Sequence, residues 1–272
     1  MRRLKILAYW LMGRRNNVSA HEILNFLLRP VCTAKAKEKI ERIENKPGYL
    51  AVYFRNFERP FYYPSAMSID LLYQVTAEIF YEEYWHHYET DDVKVEEGDV
   101  VVDCGAAEGL FSFVNAYKCK KVYAIEPLGE YIDAMKMTFS NFNNVEVIRS
   151  ALGSHDGSAS ITKNAISSNI SSSSDGEKVG VTTLDKLFYE KGVRVSFIKA
   201  DLEGSEMDML KGAFKTIKSY TPKIAITTYH KSGDARAISE YLKDLDSRYE
   251  IYIKGIEAKH GSPVMLHAHV RK

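Results

Sequence analysis

The chain has 272 residues, 45% of them hydrophobic and 27% charged, with a formal net charge of +1. That length suits one sizeable core with an appendage, and so small a charge provides no global field to attract nucleic acid. The three cysteines, Cys32, Cys104 and Cys119, are odd in number and lack metal-ligand spacing, which fits a reducing cytoplasm. No apolar run approaches the roughly 20 residues that a membrane span needs.

From the N-terminus, Ile6 to Met12 form an apolar run flanked by Arg2, Arg3, Lys5, Arg14 and Arg15. The run is at the short limit for a signal peptide, and the residues after it are a poor cleavage region. A helix packed on its own domain is favoured over a weak contact of residues 1–15 with a membrane surface. Residues 1–92 read as a mainly helical, aromatic-rich cap or substrate region. Its densest part, Phe80 to Tyr88, offers aromatic faces to a sugar ring or a cation, although such clusters more often pack an appended helix. His86 and His87 are adjacent, so they do not face one another on a helix as metal ligands would.

Residues 93–272 alternate strand and helix, the pattern of a parallel sheet covered on both faces. Strands are expected at 99–104, 121–126, 145–149, 195–201 and 223–229, with helices from about 109, over 130–142, from 205 and over 235–245. Ser205 to Asp208 match a capping box. Met207, Leu210, Phe214 and Ile217 form one apolar stripe behind it. Strands at 249–254 and 263–270 are joined too closely for a helical crossover, so they form an antiparallel hairpin. The serine-rich segment 155–180 interrupts the order. Residues 159–162 and 178–182 can pair as a small hairpin, with the rest either disordered or a lid.

The first strand, Val100-Val101-Val102-Asp103-Cys104, runs into Gly105-Ala106-Ala107-Glu108-Gly109. Its glycines permit a tight turn and a close backbone approach to a ligand. The second strand ends in Glu126, where an acid can accept hydrogen bonds from both hydroxyls of a ribose. A dinucleotide site usually spells G-x-G-x-x-G. Here the spelling is D-x-G-x-x-x-G, and the leading carboxylate suits a cation better than a pyrophosphate. S-adenosyl-L-methionine has a ribose, a sulfonium and an ammonium group, and no phosphate.

Further motifs are Tyr123-Ala124-Ile125-Glu126-Pro127, Arg149-Ser150-Ala151-Leu152-Gly153 and Val181 to Leu187. Phe197-Ile198-Lys199-Ala200-Asp201-Leu202-Glu203-Gly204-Ser205-Glu206 follows, then Met209-Leu210-Lys211-Gly212-Ala213. With these, residues 93–230 resemble the FkbM-type methyltransferases, whose signature is K-x-D-x-E-G-x-E with a later L-K-G. Where the family usually shows D-V-G-A-N-x-G, this chain has Cys104 and Ala107. The resemblance implies a class I methyltransferase: an α/β, Rossmann-like, mostly parallel sheet with helices on both faces and a C-terminal antiparallel hairpin. It also implies S-adenosylmethionine-dependent methylation, usually of a hydroxyl on a sugar, glycan or secondary metabolite. By position, Asp103, Gly105, Ala106 and Gly109 would line the methionine side. Glu126, with Pro127, would hold the ribose, Ser150 and Ala151 would border the adenine, and Asp201 would face the transferring methyl.

An alcohol becomes a good nucleophile only when its proton leaves, so a positioned base is needed. The candidates are Asp201, Glu203 and Glu206 after the fourth strand and His230 after the fifth, where an open α/β sheet forms its ligand crevice. His230, with an ordinary pKa near 6.5, is the expected base, with Asp201 positioning the reacting groups; a structural histidine is the competing reading. Glu206 fits better as an acid at a helix N-terminus. Asp201 and Glu203 could hold a divalent metal, but no further ligand pair is evident and no metal is expected. Other functions remain open: N-methylation of a small molecule, or a non-catalytic nucleoside-binding or scaffold protein on this fold. A nucleic-acid methyltransferase is disfavoured, since no Pro-Pro turn follows strand four and no cysteine follows a proline.

Overall fold

The structure, a computed structural model, describes residues 2–161, 170–171 and 177–271. The N-terminal region begins with helices α1 (Arg2–Leu11), α2 (Ala20–Leu28) and α3 (Cys32–Lys39). Ser19 starts α2 as a reciprocal cap: its hydroxyl accepts from the Glu22 N–H, and the Glu22 carboxylate accepts from the Ser19 N–H. Ile6 of α1 is buried with Val18, Ile23, Phe26 and Ile256, so α1 packs on its own domain, as favoured from the sequence. No helix among the described residues is long and apolar enough to cross a membrane.

Strands β1 (Ile40–Lys46), β2 (Tyr49–Phe54) and β3 (Phe61–Pro64) then form a three-stranded antiparallel sheet before α4 (Ile69–Phe80). This sheet was not anticipated within a mainly helical region. The reason lies in β1, Ile-Glu-Arg-Ile-Glu-Asn-Lys, which is largely solvated and carries no clear alternation. The sheet is held from its other side by Phe54, Phe61 and Tyr63, buried against Phe113 and Met135 of the main domain.

The main domain runs β4 (Val100–Cys104), α5 (Leu110–Ala116), β5 (Lys121–Glu126), α6 (Gly129–Phe139), β6 (Val145–Arg149) and β7 (Ala151–Leu152). It continues with β8 (Gly157–Ile161), β9 (Ile170–Ser171), β10 (Glu177–Thr182), a π-helical turn (Asp185–Tyr189), β11 (Phe197–Ala200), α7 (Glu206–Lys211) and α8 (Phe214–Tyr220). It ends with β12 (Lys223–Thr227), α9 (Asp234–Leu245), β13 (Tyr249–Lys254) and β14 (Met265–Val270). The seven-stranded sheet has the order β13-β14-β12-β11-β4-β5-β6. β12, β11, β4, β5 and β6 are parallel neighbours, whereas β14 is antiparallel to both β12 and β13. This is the class I methyltransferase architecture, with the expected hairpin folded so that its second strand lies inside the first. The chain order reverses between β4 and β11, and the crevice outside their carboxyl ends is where such sheets bind ligands.

The hairpin expected within 155–180 is present: β8 pairs with β10, Ala159 opposite Val179. The lid or disorder expected of the remaining loop concerns mainly 162–169 and 172–176, which lie outside the described residues.

The helix after β11 differs from expectation. Ser205 makes no side-chain cap, and the expected single helix is split into α7 and α8 at Gly212. A Cβ at Gly212 would lie 2.1 Å from the Gly153 carbonyl oxygen, so the helix breaks where its backbone meets the β7 turn. The apolar stripe is broken with it: Leu210 and Ile217 are in the core, but Phe214 is 43% exposed. Gly212→Ala should therefore force the two backbones apart and lower unfolding stability by about 1–3 kcal/mol. Equilibrium denaturation checks this, and unchanged stability would mean that the close approach is not a constraint.

Candidate functional site

A cleft opens at the carboxyl ends of β4, β5 and β11. Gly105, Ala106, Glu126, Pro127, Ser150, Ala151, Asp201 and Glu203, all expected from the sequence, lie on its lining. Asp103, Gly109 and His230, also expected, are not among its lining residues. Gly105 has φ +71°, and a Cβ there would lie 2.0 Å from the Asp201 carbonyl oxygen, so only glycine lets the β4 turn pass the end of β11. Gly109 starts α5 at φ +85°, where a Cβ would meet the Met135 side chain.

Glu126 ends β5 inside the cleft and is 5% exposed. Its oxygens accept from the N–H groups of Ala107 (3.0 Å) and Leu128 (2.9 Å). Burial nevertheless dominates and pushes its carboxyl up to about 7; neighbouring Glu108, which also lines the cleft, is likewise raised by burial to about 7. Ile125, Leu128, Tyr131 and Leu152 supply an apolar wall beside these acids. A carboxyl raised on folding binds protons more tightly in the folded state, so ligand-free stability should fall as pH rises from about 4.5 to 7 and then level off. Glu126→Gln should flatten that slope, removing on the order of 3 kcal/mol of the change across this window. Denaturation at a series of pH values reads it, and an unaltered slope would show that Glu126 is not held in its neutral form.

Asp103 corrects the sequence reading. It is fully buried and bonded at 2.9 Å to Lys199 Nζ and at 2.7 Å to the Ser112 hydroxyl. Lys199 is itself 4% exposed and also donates to the Gly105 carbonyl at 2.6 Å. Cross-strand register places Lys199 directly beside Asp103. The carboxylate expected to attract a cationic ligand is thus already neutralised within the core. Lys199→Met should strand it there and cost about 3–5 kcal/mol of stability, part of which Asp103→Asn added to that variant should restore. Urea denaturation of the pair of variants is the measurement, and wild-type stability in Lys199→Met would contradict the assignment.

Asp201 forms the hub of the other end of the cleft. Its Oδ2 accepts from the Tyr88 hydroxyl at 2.8 Å and lies 3.5 Å from His86 Nε2. Its Oδ1 accepts from the Thr227 hydroxyl at 3.1 Å and lies 3.6 Å from His230 Nε2. Burial works to raise its carboxyl, but the charges of His86, Lys199 and His230 outweigh this and hold it below the usual range, ionised. His86 Nδ1 in turn lies 3.2 Å from Glu78 Oε2. Glu78, His86 and Tyr88 all line the cleft; Glu78 was not expected there, and the aromatic segment holding His86 and Tyr88 was favoured only as packing. The aromatic segment does pack, as favoured, with Trp85 stacked on Phe26. Packing is also what turns His86 inward, and nothing in the sequence separates it from His87.

His230 is a second correction. Nδ1 meets the buried Glu206 carboxylate at 2.9 Å, and Nε2 lies 3.2 Å from Glu203 Oε2. Burial opposes its charge, but Glu203, Glu206 and Asp201 together raise the imidazole to about 10. At neutral pH it already carries a proton and cannot take another, so it does not meet the requirement for a free base. Glu206 is equally unlike its expected role at a helix terminus. It is 1% exposed, and its Oε1 turns back to accept from Leu202 N–H and Gly204 N–H. Glu203 reaches His230 from a left-handed backbone, φ +53°, a costly conformation for a residue with a side chain.

Residues 103–249 match the Methyltransferase FkbM domain. Among solved structures, the chain is similar to a methyltransferase FkbM from Methylobacillus flagellatus KT, with a TM-score of 0.52 and 20% identity. The match covers 94% of this chain and 62% of that protein, so the chain spans less than two thirds of its relative's length. An rRNA methylase from Streptococcus thermophilus is similar at a TM-score of 0.43 and 17% identity, over 65% of this chain and 90% of that one. A putative methyltransferase from Streptococcus mutans in complex with SAH has a TM-score of 0.43 and 13% identity, over 66% and 92%. No curated protein matches the chain in sequence.

Proposed function

The chain belongs to the FkbM methyltransferase family, and on that premise we propose that it methylates a hydroxyl on a sugar, glycan or secondary metabolite, with S-adenosylmethionine as donor. The observation that carries this reading is one cleft bounded by two carboxylates of opposite character, one buried and one half-buried. Glu126 is held toward its neutral form at the end of β5, and Asp201 is ionised at the end of β11.

The residues present fit the donor. Glu126 offers carboxylate oxygens to ribose hydroxyls, and ionises more readily once they donate to it. Ile125, Leu128 and Leu152 offer an apolar surface to adenine, with Ser150 and Ala151 at its border. Gly105 and Ala106 bring backbone against the methionine portion. The ionised Asp201 takes over the part expected of Asp103, a negative charge near the cationic end. S-adenosylmethionine supplies a methyl group on a good leaving group, so the protein's work is alignment, exclusion of water and removal of a proton.

Asp201 accepts the hydroxyl's proton through Oδ2, the oxygen nearest His86 and Tyr88. Those two neighbours keep it ionised and oriented, and Glu78 orients His86 in turn. Glu78, His86 and Tyr88 line the same cleft as Asp201, which supports an acceptor bound between the N-terminal region and the sheet. Asp201→Asn keeps the shape and removes the basic oxygen. It should lower turnover about 10²–10⁴-fold, read by mass spectrometry on a panel of hydroxylated sugars, while S-adenosylhomocysteine binding, read by calorimetry, weakens far less. Near-wild-type turnover per folded molecule would remove Asp201 as the base.

A further inference from the structure

We propose that Asp201, Glu203 and His230, with Glu206 holding the histidine from behind, form a binding site for one divalent transition-metal ion beside the cleft. Asp201, Glu206 and His230 each bring a ligand atom to within 4.8 Å of the others. The histidine's two nitrogens have unequal surroundings. Nδ1 is 2.9 Å from Glu206 Oε1, whereas Nε2 makes no hydrogen bond although the His230 side chain is only 8% exposed. Asp201 Oδ1 and Glu203 Oε2 lie 3.6 and 3.2 Å from that nitrogen without hydrogen-bond geometry. Separations of this size are those between neighbouring ligands of one ion with bonds of about 2.0–2.2 Å. Glu206 Oε2 is a second buried oxygen with no partner in the same cluster.

The arrangement is that of a metal-bound histidine held from behind. A carboxylate on one ring nitrogen fixes the ring's orientation, and the ion takes the other nitrogen by displacing its proton to solvent. Glu206 takes that part, buried and anchored by the N–H groups of Leu202 and Gly204. Asp201 divides its oxygens accordingly, Oδ1 toward His230 and Oδ2 toward His86 and Tyr88. Imidazole with carboxylates suits Mn2+, Co2+, Fe2+ or Zn2+, and suits Mg2+ less, because Mg2+ prefers oxygen. The ion's role rests on the methyl-transfer reading: it would take the acceptor's hydroxyl oxygen as a further ligand and weaken its O–H bond. The existence of the site does not rest on that reading.

The test titrates the chelator-treated full chain with Mn2+ by calorimetry and with Co2+ by visible absorption, with S-adenosylhomocysteine titrated separately. One Mn2+ per chain and a Co2+ d–d band are expected. Glu206→Gln should weaken Mn2+ binding about 10–100-fold, and the isosteric Asp201→Asn should weaken it at least about 10-fold, both in protein that circular dichroism shows to be folded. Wild-type protein that binds neither ion, or folded variants that bind Mn2+ as tightly as wild type, would overturn the site. The Co2+ band is read on the wild-type chain, so it decides even if a variant fails to fold. Loss of S-adenosylhomocysteine binding with metal binding intact would instead count against the donor assignment alone.

Discussion

The buried ion pair of Lys199 and Asp103 sets the geometry on which the rest of the cleft depends. Two charges at the centre of a parallel sheet are tolerated when each is neutralised by the other. Here Lys199 Nζ is shared between Asp103 and the Gly105 carbonyl, and Asp103 also holds Ser112 of α5. One pair therefore ties β11 to β4, to the turn after β4 and to the helix that follows. These elements meet at the point where the chain order of the sheet reverses. The charge of Lys199 also reaches Asp201, two residues on, and helps to keep it ionised.

The cleft is differentiated by how its acids are partnered. Glu126 and Glu108 have no cation bonded to them, and burial pushes them toward neutrality. Asp201 is half-buried and surrounded by the charges of His86, Lys199 and His230, and so stays charged. One end holds a carboxyl biased toward its neutral form, and the other holds an ionised one. The same chemical group thus takes two charge states because its neighbours differ. The N-terminal region takes part in this contrast. Glu78, His86 and Tyr88 come from it, so it completes the site as well as covering it.

Backbone constraint does the fine positioning. Gly105 and Gly212 stand where two chain segments come closer than any side chain would allow. Glu203 adopts a left-handed backbone that turns its carboxylate toward His230. The break at Gly212 lets α7 and α8 tilt separately, and with the expected cap absent Glu206 folds back into the β11 turn. The side chain that would have served the helix terminus serves His230 instead.

The sequence by itself determined the seven strands of the main sheet and most of the helices between them, because β-branched runs and helical stripes carry their period in the residues themselves. It determined Glu126 and Asp201 as strand-end acids, and the final hairpin from the length of its connection. It contained Lys199 in register beside Asp103 as well: a charged residue inside an apolar strand needs a partner, and that signal could have been read. Three things were decided only by the tertiary structure. Whether Asp103 faces a ligand or a lysine depends on which strand lies beside β4. Whether His230 is a free base depends on three carboxylates that folding brings around it. Whether His86 or His87 enters the cleft depends on how the aromatic segment packs. Protonation and orientation are set by neighbours distant in the chain, and local residue pattern carries no record of them.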